Sequence, residues 1–149
     1  MKDLNRLRLE RMIARHERHL TERAELDTAT ARRARFRAET EEILTANVVP
    51  VIAELGQELA RAGHAYRVER GPTKLDLYLS IQGRTGSKDL IQFFVHDDAQ
   101  RGCELIVELC LKRSGVQKGR YQHPSELTRE VAEQLLVDTI EQIFASPAN

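Results

Sequence analysis

The chain has 149 residues, 41% hydrophobic and 31% charged, which is enough for one packed domain with an extension, although aromatics are sparse at 5% and there is no Trp. Its 23 Lys and Arg are balanced by 23 Asp and Glu, so overall charge gives no support to a general polyanion-coating role. Two cysteines, no leader-like apolar segment near Met1 and no apolar run close to the roughly 20 residues that cross a bilayer predict a soluble, cytoplasmic protein.

Residues 1–46 contain neither Gly nor Pro and are dense in Arg and Glu, both good helix formers. Leu9, Ile13, His16, Leu20, Ala24, Asp27, Ala31, Ala34 and Ala38 recur in steps of three and four, the spacing of a helical seam. The seam is thin, alanine-rich in its second half, and suits a close helix-to-helix contact. A straight helix of this length would extend roughly 69 Å at 1.5 Å per residue, against a radius of gyration of about 13 Å for a body of about 100 residues. It cannot be covered by its own domain, so it either folds back at Asp27-Thr28 or meets another chain. A continuous helix pairing in a homodimer is the favoured expectation, with residues 1–46 as an extended segment and 47–149 as a compact domain.

Ile43, Leu44, Val48, Val51, Ile52, Leu55 and Leu59 continue at helical spacing, interrupted by Pro50. Proline either kinks the helix near Val49 or sits in the first turn of a new one, and Gly63 supplies the stop. A second helix is expected over about 47–62. The period then falls to two: a short strand with Tyr66 and Val68, a turn at Gly71-Pro72, and strands over 74–82, 90–96 and 103–112. Residues 114–125 read as a loop, Ser125 as the N-cap of a last helix with Glu126 in its first turn, and that helix ends near Ala145. The fold class is α+β in the order α-α-β-β-β-β-α, with a four-stranded antiparallel sheet.

Leu75, Leu77, Leu79 and Val107 fall on the sheet face that packs on helices. On the other, Tyr78, Leu90, Phe94, Ile106 and Cys110 lie among Asp76, Gln92, Glu104 and Glu108, more apolar than a solvated face requires. That surface is either tolerated exposure, covered by the first helix, or a site for a partner. Cys103 and Cys110, seven apart on one strand, fall on opposite faces and cannot easily bridge each other.

Little else points to chemistry. His16 and His19 share a helix face beside Arg15 and Arg18, which repel a cation, and two histidines make a weak metal site. His96-Asp97-Asp98 at a strand end, with Asp76 nearby, is the one constellation an enzyme could use, but Asp is commonplace in turns. Gly83-Arg84-Thr85-Gly86-Ser87-Lys88 lacks phosphate-loop spacing and leads into a strand. Cys110 has no sequence neighbour that marks a nucleophile. No cofactor or metal is expected. Two basic runs, Arg32, Arg33, Arg35 and Arg37, and Lys112, Arg113, Lys118 and Arg120, could contact nucleic-acid phosphates.

The leading expectation is a non-enzymatic interaction protein, adaptor or chaperone-like. It would dimerise through Leu9, Ile13, Leu20, Ala24 and Ala31 and present Tyr78, Phe94 and Ile106 to an unidentified protein partner. Nucleic-acid binding is the alternative, and an enzyme with a site near His96 the third reading.

Overall fold

The computed structural model describes residues 2–84, 89–110 and 115–146. Its contacts divide the chain into two units, Met1–Arg35 and Phe36–Asn149.

The first unit is helix. It belongs to α1, Asp3–Ile43, which runs without a break through Asp27-Thr28. The hydroxyl that could have capped a new helix is used inside this one: Thr28 Oγ1 donates to the Ala24 carbonyl at 2.9 Å, as Thr21 does to Glu17 at 3.1 Å and Thr30 to Leu26 at 3.0 Å. Threonines bonded back by four residues stay within the helix rather than end it.

In the second unit, the last turns of α1 enter the core, where Thr40 is fully buried with its hydroxyl on the Phe36 carbonyl. A π-helical turn, Leu44–Val48, leads into α2, Val49–Arg61. Pro50 explains it. Proline has no amide to offer the Ala46 carbonyl four residues back, so the chain widens by one residue and the Val49 amide bonds to Leu44. The freed Ala46 carbonyl accepts from Arg129 Nε at 3.1 Å, while Asn47 Nδ2 donates to the Leu127 carbonyl at 2.9 Å. By length and hydropathy the helical run Asp3–Arg61 contains the one stretch among the described residues apolar enough to cross a membrane. Within that run Leu44, Val48, Val51 and Ile52 are buried in a core shared with the sheet. Gly63, at φ +90°, closes α2, with the His64 amide reaching the Leu59 carbonyl.

The sheet has five antiparallel strands in the order β1-β2-β3-β4-β5: β1 Ala65–Gly71, β2 Lys74–Ser80, β3 Asp89–Asp98, β4 Gly102–Cys110 and β5 Gly115–Tyr121. The α+β class stands, but the expected loop over 114–125 holds a fifth strand. Its two core-facing residues, Val116 and Tyr121, are five apart, so strict alternation would put them on opposite faces. Glu108 pairs with Gln117 and Val107 with Gly119, leaving Lys118 as the extra residue of a bulge. The bulge shifts the phase by one and brings both onto the core side.

Leu75, Phe93, Val107 and their neighbours Leu77, Ile91 and Leu109 form the buried layer under α2 and the last helix, α3, Arg129–Ala145. Ser125 is not the cap of α3. It lies in a 3-10 turn, Pro124–Glu126, and Thr128 caps the helix, its hydroxyl accepting from the Val131 amide at 3.2 Å. Leu127 is fully buried between the two, so the helix starts only after that side chain has been delivered to the core. Glu130, rather than Glu126, is the first-turn acid. At the other end Arg84 donates to the carbonyls of Ile143, Phe144 and Ser146, each at 3.0 Å, and caps a helix whose last turn has no basic residue of its own. Of the glycine-bearing loop expected after β2, residues 85–88 lie outside the described residues.

Candidate functional site

Large apolar side chains left exposed are concentrated in one place. Leu4, Leu7, Leu9, Met12, Ile13, Leu20 and Leu26, all in the first unit, are each 43–68% exposed, whereas the second unit has only the scattered Val49, Tyr66, Val131, Val137 and Phe144 among its described residues. Leu9, Ile13 and Leu20 form the seam with exposed Ala24 and Ala31. Leu4, Leu7 and Leu26 fall more than roughly a quarter turn away from it at 3.6 residues per turn. The apolar surface of this helix is therefore wider than a seam, a feature that a search for one periodic line misses. No described residue of its first 26 positions is buried.

The second sheet face is built from cross-strand rows. Arg67, Tyr78, Leu90 and Cys110 make one, Glu69, Asp76, Gln92, Glu108 and Gln117 the next, and Lys74, Phe94, Ile106 and Arg120 a third. The expected neighbours are thus together, but their apolar parts are sheltered. Ile106 is only 9% exposed, and Phe94, Leu90 and Tyr78 are half-buried. The Arg67 guanidinium lies 4.5 Å from the Tyr78 ring centroid. Long charged side chains cover apolar neighbours with their stems.

The polar groups of this face hold one another. Gln92 Nε2 donates to Asp76 Oδ1 at 3.2 Å and its oxygen accepts from Cys110 Sγ at 3.2 Å, while Lys74 Nζ lies 3.4 Å from Asp76 Oδ2. Glu104, 1% exposed, accepts from Arg120 Nε. Arg120 is the ion-pair partner of a carboxylate that solvent does not reach, so Arg120→Ala is expected to destabilise more than Arg120→Ala combined with Glu104→Leu, which removes the stranded charge too. Thermal melts of the two variants at neutral pH check the order, and equal melting temperatures would show that Glu104 reaches water unaided.

The Cys110 thiol is pushed up by burial first, then by the negative charges of Glu108 and Asp76. It stays protonated at neutral pH, the opposite of an activated nucleophile. Cys103 lies on the other face, as its spacing predicts.

His96, Asp97 and Asp98 do not converge. His96 and Asp98 share the open face, while Asp97 falls on the other. The Asp98 carboxylate accepts the Gln100 amide at 2.8 Å, the main reason its pKa is lowered, and so serves the turn. Asp76 stands opposite Gln92, four residues and about 13 Å along the strand from His96. Among the described residues no group of three or more His, Cys, Asp or Glu is placed to hold a metal.

The first basic run lies within α1 and the second is divided. Arg32, Arg33, Arg35 and Arg37 all belong to α1. Lys112 and Arg113 lie outside the described residues. Lys118 reaches Gln142 of α3 on the helix side, and Arg120 bonds Glu104 on the opposite face. No family model matches the chain, and no curated protein or solved structure is significantly similar to it.

Proposed function

We propose that this is a non-enzymatic interaction protein, an adaptor or chaperone-like module that works in the cytoplasm as a homodimer through its N-terminal helix and offers its open sheet face to a protein partner. The concentration of exposed Leu, Ile and Met on residues 4–26 carries the reading. A helix keeps such side chains in water only at a cost of about 1.5–3 kcal/mol for each one that burial could have covered, and helices in proteins owe most of their stability to packing of an apolar face. A second copy of the same helix brings the matching surface. The half-buried Tyr78, Leu90 and Phe94 give the sheet face a smaller apolar content suited to a transient partner. Against nucleic acid stands the separation of Lys118 from Arg120, and against an enzyme the divergence of Asp97 from His96 and Asp98.

Sedimentation velocity on the full chain tests this. The wild type is expected to be dimeric, and Leu9→Gln, Ile13→Gln and Leu20→Gln together to weaken association at least about a hundredfold, since six side chains lose burial in each dimer. Far-UV circular dichroism should show the fold of the variant retained. A wild-type chain that stays monomeric at every concentration, or a variant that dimerises as tightly as the wild type, removes the proposal.

A further inference from the structure

An antiparallel five-stranded sheet has two edges, and here they differ in kind. The outer edge at β5 is broken by the bulge at Lys118, contains two glycines, and carries Lys118 and Arg120 without any acid. The bulge interrupts the ladder that a second strand would have to match. This is how an edge is kept solitary. The edge at β1 has no bulge, and its one glycine, Gly71, is at the strand end. It pairs with β2 over seven consecutive residues without interruption, contains no Pro, and alternates its charges, Arg67, Glu69 and Arg70.

Arg70 is already engaged, bonded to Glu41 and Thr45 of the helix above. The other charges at the edge are Arg67 and Glu69, on the open face, 56% and 49% exposed and paired with each other at 3.1 Å, with Arg67 also over the Tyr78 ring. Their positions have a symmetry consequence. When β1 of one copy lies antiparallel to β1 of another with the twofold axis at Val68, Arg67 faces Glu69 of the second copy and Glu69 faces its Arg67. Tyr66 then stands across from Arg70 and Ala65 from Gly71. Both charged positions of β1 on the open face meet their opposite, and the backbone of both edges is satisfied. Such cross-strand pairs stabilise, and like charges in the same places do the reverse. A C2 contact requires a self-complementary patch, and this strand is one.

We propose that β1 is a second self-association surface, independent of the N-terminal helix, through which two copies of this chain join edge to edge into a continuous ten-stranded sheet. The occupant is a second copy rather than a foreign strand because the register that satisfies the backbone also satisfies Arg67 and Glu69.

The test uses the full chain carrying Leu9→Gln, Ile13→Gln and Leu20→Gln, so that the helix contact is removed and the edge contact remains. Sedimentation equilibrium on this chain is expected to show weak dimerisation. Glu69→Arg, which sets Arg opposite Arg twice in each dimer, should weaken it about tenfold or more, and the exchange Arg67→Glu with Glu69→Arg should restore it. Hydrogen exchange should slow in β1 as concentration rises, and not in β5. Protection of β1 with restoration by the exchange supports the proposal. Association indifferent to Glu69→Arg, or a chain monomeric at all concentrations, overturns it. Failure of the helix proposal reads differently: the three Gln substitutions would then leave the wild-type association unchanged.

Discussion

Phe93→Ala is expected to cost about 3–5 kcal/mol of folding stability, the range for truncating a large aromatic in a packed interior. Phe93 is fully buried, the largest such side chain among the described residues, and stands between Leu75 of β2 and Val107 of β4 in the central strand. Neither neighbour can close the gap, since both are held in register by the ladder and roofed by α2 and α3. Domains of this size are stable by only about 5–15 kcal/mol, so the variant should lose a large part of its margin and melt roughly 6–20 °C lower. Urea titration of the full chain measures it, and a loss under about 1 kcal/mol would mean that the cavity collapses and that the helices are not rigidly seated on the sheet.

Gly56→Ala tests the other side of packing, where an added methyl rather than a missing ring does the damage. A Cβ at Gly56 would lie 2.3 Å from Cζ, 2.4 Å from Cε1 and 2.7 Å from Cε2 of Tyr66, so α2 rests directly on the phenol of β1. Alanine raises helix propensity by about 1 kcal/mol, yet forcing the ring aside costs about 1–3 kcal/mol. The expected net is destabilising. The sharper form is a change of sign: in a Tyr66→Val background, with the ring gone, Gly56→Ala should become stabilising by up to about 1 kcal/mol. If alanine stabilises in both backgrounds, the ring moves away freely and helix-to-strand contact here is loose.

Most of the architecture is legible in the residues alone because its signals are local. The long helix follows from 46 residues without Gly or Pro, and the alternation of Lys74 to Ser80 and Gly102 to Cys110 carries enough phase to sort Tyr78, Phe94 and Ile106 onto one face and Leu75, Phe93 and Val107 onto the other. What is lost depends on partners far along the chain. β5 hides because Lys118 reverses the alternation and glycines weaken its propensity. Ser125 and Thr128 are both competent caps, and the choice between them rests on where Leu127 must be buried. The shelter given to Ile106 and Phe94 is invisible too, because it needs Arg120 and Lys74 to arrive beside them from neighbouring strands. The candidate surface on α1 is the reverse case: its residues are plain in the sequence, but the breadth of the apolar surface, from Leu4 to Leu26, appears only when exposure is measured residue by residue.

The bulge at Lys118 bears on how assembly stops. A sheet with two regular edges can add copies at both ends, and each addition exposes another edge like the one it covered, the geometry of a growing fibre. Here one end is made irregular by a single extra residue and by two glycines. Joined as proposed, two sheets would use the regular β1 end of each and leave the two bulged β5 ends outside. One residue out of phase would confine the proposed edge contact, taken by itself, to a pair of sheets.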